Sequence, residues 1–258
     1  MNTKPLILSI DIGNTNGHLG LVDTQTLRCA KTELFSANDI AGSLQKALSL
    51  LTEGYETNSL PVVISSVNKS ICNFVSEELG KCNFHSVSWV HWHDGLPIST
   101  LYKSTGKLGS DRIANCLYAH AVHPEQSQII ICSGTATTID FLRSGKVFAG
   151  GAILPGILTQ GKSLKDNTHE LPFVNLETNG IAFPGTNTEE CIRAGVVLGT
   201  IGAIMHIVKK YKDLFGDNCL VLAGGGAWKY LKPYIDFEHI YVDNLTLLGT
   251  ALYYQEAS

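Results

Sequence analysis

At 258 residues, with 44% hydrophobic and only 16% charged side chains, the chain can form one large domain or two half-size ones and is not composed like a disordered segment. A formal net charge of −4 offers no electrostatic footprint for nucleic acid or an anionic membrane surface. Seven cysteines, at 29, 72, 82, 116, 132, 191 and 219, are odd in number, scattered and never spaced C-x-x-C, which favours reduced thiols in a cytoplasm over a disulfide framework or zinc site.

The first residues carry no basic leader and no long apolar run, because Ser9 and Asp11 interrupt the first strand, so neither a signal peptide nor a membrane span is expected. Residues 6–11 and 17–22 are β-rich runs around Gly13-Asn14-Thr15-Asn16 and read as a hairpin. Apolar residues at helical spacing predict a helix over 39–51. LPVVISSV (60–67) has the look of a buried strand, ICNFVSEELG of a helix ending at Gly80, and VSWVHW (87–92) of another strand. DRIANCLYAHAVH (111–123) is helical, with Asp111 near its start and Pro124 closing it.

The second half restarts the pattern. IIICS, TTIDFL and VFAGGAIL are β-rich, and 157–171 is expected to be helical. Residues 188–211 predict a long helix with Thr188 as N-cap and Glu189 and Glu190 in its first turn. CLVLAGGGA (219–227) is a strand entering a glycine turn, and IYVDNLTLLGTALYYQ gives a strand and a terminal helix. The loops near 53–60 and 172–187 are the long polar gaps.

Each half therefore opens on strand, glycine turn, strand. Aligned on their glycines, Ile10-Asp11-Ile12-Gly13-Asn14-Thr15 falls on Ile131-Cys132-Ser133-Gly134-Thr135-Ala136, a weak internal duplication. The expected organisation is two similar α/β lobes, 1–124 and 125–258, facing a central cleft into which each turn can point.

A strand ending in aspartate before a glycine turn has a specific chemical use. Glycine lets a ligand approach the backbone, consecutive N–H groups form an anion-binding concavity, and Asp11 can hold Mg²⁺ directly or through its waters. The turn Gly134-Thr135-Ala136-Thr137-Thr138 supplies further backbone and hydroxyl donors, so the pair suits an ATP triphosphate. A plain hairpin turn would explain one copy; the repeat favours phosphate binding. In GSDRIAN, Asp111 could accept a proton from a substrate hydroxyl and Arg112 grip a carboxylate, although a helix N-terminal acid beside a surface cation has the same sequence. Gly106-Lys107 is no P-loop, since the upstream glycine spacing is missing.

Other features read more plainly. His91 and His93 alternate on a strand end beside Asp94 and share a face, but without other clustered ligands they read as polar strand-end residues rather than a metal site. His120 and His123 read as solvated or locally bonded, and Cys116, Cys191 and Cys219 as small core residues. The run Ala223-Gly224-Gly225-Gly226-Ala227 is either an approach to an adenosine or a tight turn.

DIGNT at 11–15, Tyr102 followed by GSDR at 109–112, SGTATTID at 133–140, GGAILPG at 150–156 and GTNT at 185–188 come in a fixed order. That ordered set, spanning nearly the whole chain, resembles the type III pantothenate kinases, relatives of the acetate kinases and actin-like ATPases. The resemblance implies two ribonuclease-H-like lobes, ATP-dependent phosphorylation of pantothenate as the first step of coenzyme A synthesis, and a cytoplasmic homodimer. Carried over by motif, Asp11, Ile12, Gly13, Asn14, Thr15, Asn16, Gly17 and His18 would hold ATP phosphates and Mg²⁺, and Gly134 and Thr135 would touch ATP. Asp111 would be the proton acceptor, while Tyr102, Gly109, Ser110, Arg112 and Thr188 would line the pantothenate pocket. Cys132 departs from the family, which has aspartate there to bind K⁺ or NH₄⁺. A soft, mostly protonated thiol is a poor ligand for a hard monovalent cation, so that site is expected to be degraded. Two rivals are a kinase of another small hydroxylated substrate such as a sugar, and a non-catalytic regulatory member. Tyr102 with GSDR and GTNT speaks against the first, and intact Asp11 and Asp111 against the second.

Overall fold

The computed structural model describes residues 6–37, 39–176 and 180–256. In chain order these form β1 (Leu6–Ile12), β2 (Asn16–Asp23), β3 (Arg28–Ser36), α1 (Ile40–Thr52), β4 (Pro61–Ser66), α2 (Cys72–Gly80), β5 (Ser86–Trp89), β6 (Ser99–Thr100) and α3 (Ser110–Val122). Then come β7 (Gln128–Ser133), β8 (Ala136–Arg143), β9 (Val147–Pro155), α4 (Ile157–Asp166), α5 (Thr188–Phe215), β10 (Leu220–Gly224), α6 (Trp228–Leu231), β11 (Ile240–Tyr241) and α7 (Leu245–Glu256).

Two compact units result. The first takes the described parts of Met1–Glu125 together with Gly145–Phe148 and the described parts of Asn244–Ser258; the second takes Gln126–Ser144 and the described parts of Ala149–Asp243. A single cut at 124/125 is therefore not how contacts divide the chain: α7 is decoded last yet packs on α3 and β1 of the first unit, with the Ser9 hydroxyl donating to Leu247 O at 2.7 Å.

The first sheet runs β3-β2-β1-β4-β5, with β1–β2–β3 antiparallel and β4 and β5 parallel to β1. The strands of the second unit run β9-β8-β7-β10-β11, the same order, again with an antiparallel hairpin followed by parallel strands. The duplication suggested by the two glycine turns thus extends to the topology of both units. Period-two alternation then sorts the side chains. Leu8, Ile10 and Ile12 enter the core under α1 and α2, with Leu44, Leu48, Leu51, Val75 and Leu79. Ser9 and Asp11 take the opposite face, the one α7 covers. In the second unit Ile129 and Ile131 pack with the α5 stripe Ile192, Val196, Ile201, Ile204 and Val208, which leaves Cys132 on the other face.

Several elements differ from the sequence reading. Strand β3 was not expected: its RCAKTELFS buries only Phe35, so it lacks a buried strand's apolar run, and its Arg28, Lys31 and Glu33 suit an edge. Helix α4 stops at Asp166, not 171, because Asn167 Nδ2 and Thr168 Oγ1 donate to the carbonyls of Ser163 and Leu164 at 2.9 and 2.8 Å. Helix α5 runs on to Phe215, which stacks on Phe141 at 4.1 Å, and stops at Gly216 with φ +97°. Its N-cap is Asn187 rather than Thr188, the Asn187 carboxamide oxygen accepting from Glu190 N at 3.0 Å. Long and apolar enough to cross a membrane, α5 instead presents its stripe to the core of its unit. Cys116 and Cys219 are buried as expected, but Cys191 is exposed.

Candidate active site

In the first unit the site grows from the end of β1. Asp11 lies opposite His18 on β2 and beside Ser65 on β4, so three polar side chains share one face at the carboxyl end of a parallel strand pair. The turn that follows is four residues long, closed by Gly13 N donating to Asn16 O at 3.1 Å, and leaves Asn14, Thr15 and Asn16 exposed. It is braced from outside, since Ala37 N donates to Thr15 O at 3.1 Å and the Phe35 ring lies where a β-carbon on Gly17 would go. Ile12 contributes only backbone here: its side chain is core, and its carbonyl accepts from Val67 N at 3.1 Å.

Helix α3 brings the second carboxylate. Gly109 is its N-cap, Ser110 its first residue and Asp111 its second, where the helix end favours negative charge. Asp111 Oδ1 accepts from Arg112 N at 2.8 Å. Desolvation raises the Asp111 pKa against the opposing pull of that N–H and the Arg112 charge. Asp11 is raised to about 7, first by desolvation and then by the negative charge of Asp111, with a hydrogen bond from Ser65 working the other way. The charge of Asp111 is thus felt at Asp11 across a poorly hydrated place.

Arg112 is buried, its guanidinium carbon 5.6 Å from the Tyr102 ring centroid and 5.3 Å from that of Phe148. A short parallel pairing of β6 with the start of β9 sets this cradle: Leu101 N donates to Phe148 O at 3.0 Å, and Tyr102 N to Thr100 Oγ1 at 2.9 Å. Sequence reasoning named Tyr102 and Arg112 but missed Phe148, which no motif marks. It also placed Ser110 among the pocket residues, whereas that side chain is 7% exposed and its hydroxyl is engaged with β4.

The second unit holds the other glycine turn. Gly134 N donates to Ala136 O at 2.9 Å, and Ser133 pairs with Thr137, so three residues bridge the strands instead of four. Gly156 N and Thr159 Oγ1 both donate to Thr135 O, at 2.9 and 2.7 Å, and a β-carbon on Gly156 would meet the carbonyls of Gly134 and Thr135. Cys132 lies opposite Thr138 and beside Gly224. The Thr138 hydroxyl is buried and hydrogen-bonds to no described residue; the carboxylate of that hairpin face, Asp140, sits one pair further back, opposite Ile130. Thr188 lies on a groove of about 850 Å³ between α4 and α5, lined also by Pro155, Gln160, Leu164, Cys191 and Val196.

His91 and His120 are locally bonded. The His120 ring meets Gly145 O at 2.6 Å, and His91 contacts Trp89 O and Tyr253 Oη at 2.8 and 3.1 Å. Among the described residues, no three His, Cys, Asp or Glu side chains gather as a metal-holding group.

Residues 7–210 match the family model described as type III pantothenate kinase. The chain is 30% identical to a type III pantothenate kinase of Herminiimonas arsenicoxydans, over 95% of each chain. It is 32% identical to one from Fusobacterium nucleatum subsp. nucleatum, over 97% of this chain and 99% of the other. Among solved structures it is similar to the activator of 2-hydroxyisocaproyl-CoA dehydratase from Clostridium difficile, with TM-score 0.56 and 14% identity over 96% and 93% of the two chains, a likeness of fold. The fold is the two-lobe ribonuclease-H-like one also found in sugar kinases.

Proposed function

We propose, from the premise that this chain belongs to the type III pantothenate kinases, that Asp111 accepts the proton of the pantothenate hydroxyl while Asp11 and the turn 13–16 hold Mg·ATP. The reaction is ATP-dependent phosphorylation of pantothenate, the first step of coenzyme A synthesis. One observation carries the residue assignment: Asp11, desolvated at the end of β1 and then acted on by the negative charge of Asp111 from α3, is raised to about 7. Phosphoryl transfer asks a protein mainly for positioning and charge neutralisation. Bound Mg²⁺ would supply the neutralising charge, and a divalent cation suits a place where two carboxylates repel.

The raised Asp111 is a better proton acceptor than an ordinary carboxylate, and the Arg112 N–H holds one of its oxygens in place. Arg112, held beside the Tyr102 and Phe148 rings, is the group we assign to the pantothenate carboxylate. Gly134, Thr135 and Thr188 keep the ATP and pantothenate roles that their motifs imply. The residues near Cys132 do not fit a monovalent cation: a neutral thiol stands at the position of the anionic ligand, with glycine for its neighbour on β10. We therefore assign the reaction no dependence on K⁺ or NH₄⁺. The same reading makes the protein a cytoplasmic homodimer, a setting that its seven unbridged thiols suit.

The test is a coupled ADP-release assay with pantothenate and a panel of sugars. ADP release that requires pantothenate is expected; release driven by a sugar, or none with any acceptor, would overturn the reading.

A further inference from the structure

Between the two carboxylates runs a chain of buried hydroxyls that the reaction as described does not use. Ser65 is fully buried and hydrogen-bonded to Asp11, and its Oγ lies 3.1 Å from Ser110 Oγ. Ser110 Oγ accepts from Ser66 N at 2.8 Å and donates to Ser66 O at 2.9 Å. The end of β4 is thereby fastened to the first residue of α3, immediately before Asp111.

Resting on the roles of Asp11 and Asp111 given above, we infer that Ser65 and Ser110 form a two-hydroxyl strut that sets the position of Asp111 relative to Asp11, and are positioning residues for phosphoryl transfer. Proton counting explains why the two serines act together. Each hydroxyl has one proton, yet Asp11, the Ser65–Ser110 contact and the Ser66 carbonyl all call for one. Rotation of either hydroxyl therefore changes what the other can donate to, and the bonds form one cooperative unit. Both groups lie away from water, so removing either leaves a buried partner unsatisfied. Helix α3 then loses definition at its first turn, where a shift of about 1 Å can cost roughly 10²-fold in rate.

The experiment uses steady-state kinetics on Ser65→Ala, Ser110→Ala, the double variant and Ser110→Thr, with Asp111→Asn alongside. Each alanine variant is expected to lower kcat about 10- to 100-fold while the KM values for pantothenate and ATP stay within about threefold. The double variant should lose little more than the worse single, as for residues acting as a unit, and Ser110→Thr should recover most of kcat. Ser65→Ala leaves the Ser110–Ser66 bonds whole, so it gives a reading even if Ser110→Ala folds poorly. A raised pantothenate KM at unchanged kcat in Ser110→Ala would make that serine a substrate contact and overturn the strut. Multiplying losses in the double variant would overturn it as well. An inactive Asp111→Asn with serine variants at full kcat overturns the strut alone; an active Asp111→Asn overturns the base assignment and the strut with it.

Discussion

The hairpins β1–β2 and β7–β8 occupy equivalent places in two sheets of the same strand order, yet they are finished differently. In the first, a carboxylate stands beside a serine, and four residues make the turn. In the second, a thiol stands beside a glycine, and three residues suffice. The first sets its carboxylate at the turn; the second keeps its carboxylate, Asp140, further back along the hairpin and lets other backbone press in, with Gly156 against the turn and Ala227 N donating to Ser133 O at 3.0 Å. The same frame thus occurs twice and is finished differently: one copy places its carboxylate at the turn, the other a thiol.

The largest effect should come from the acid that joins the charged hairpin. Asp111→Asn keeps the size of the side chain and can still accept from Arg112 N, but it cannot take a proton. Turnover should fall about 10²- to 10⁴-fold with pantothenate KM little changed. Retention of more than a tenth of the turnover would erase the difference in chemistry between the two halves.

Next comes Asp11→Asn, which should weaken magnesium use far more than pantothenate binding. The pKa sharpens this test. Asp11 is raised to about 7 in the fold, so its contribution to stability is complete below the ordinary carboxylate range and is lost as pH rises through about 7. The metal-free protein should melt lower at pH 8 than at pH 5, added Mg²⁺ should offset the drop, and Asp11→Asn should flatten both responses. Equal magnesium titrations of wild type and variant would show Asp11 to be structural only.

A smaller effect separates the two glycines. A β-carbon on Gly13 would lie 2.9 Å from Asn16 O, whereas one on Gly134 finds Ala136 O at 3.9 Å. Gly13→Ala should therefore lower the melting temperature by several degrees, about 1–3 kcal/mol of overpacking, and Gly134→Ala should barely move it. Equal shifts would mean that the turns are tighter or looser than described.

The smallest concerns Cys132. The wild-type rate should respond little to exchanging potassium for sodium at constant ionic strength, and Cys132→Asp should bring a few-fold potassium preference by restoring a hard anionic ligand. Strong potassium activation of wild type, unchanged in the variant, would locate the ion elsewhere.

Much of this comparison is legible in the sequence, because glycine turns flanked by β-rich runs are local signals. Asp11, Asp111 and Arg112 announce themselves through short motifs. What escapes is everything set by long-range pairing. Strand β3 reads as polar because an edge needs few apolar residues, and Phe148 is silent because its work depends on a two-strand register with β6. Ser110 reads as part of a ligand motif, and only the fold reveals its hydrogen bonds to Ser66, which lie 44 residues away in sequence. The cap of α5 was misjudged by one residue, since Asn187 and Thr188 are both capping types and only geometry chooses between them.

The return of α7 to the first unit has a consequence for how the protein is made. Ser9 waits for Leu247, its hydrogen-bond partner 238 residues later, so the sheet that forms first on the ribosome has only α3 on that face, and not α7, while the whole second unit is synthesised. Its apolar residues on that face, Ile7, Val22 and Val63, are in the meantime open to chaperones and to misassociation. The second unit is encoded between the pieces of the first and can complete its own core from Ile129, Ile131 and the α5 stripe before α7 exists. Translation order and folding order thus run in opposite directions: the half begun last is finished first, and amide protection after a refolding jump should reach β7 and β10 before β1.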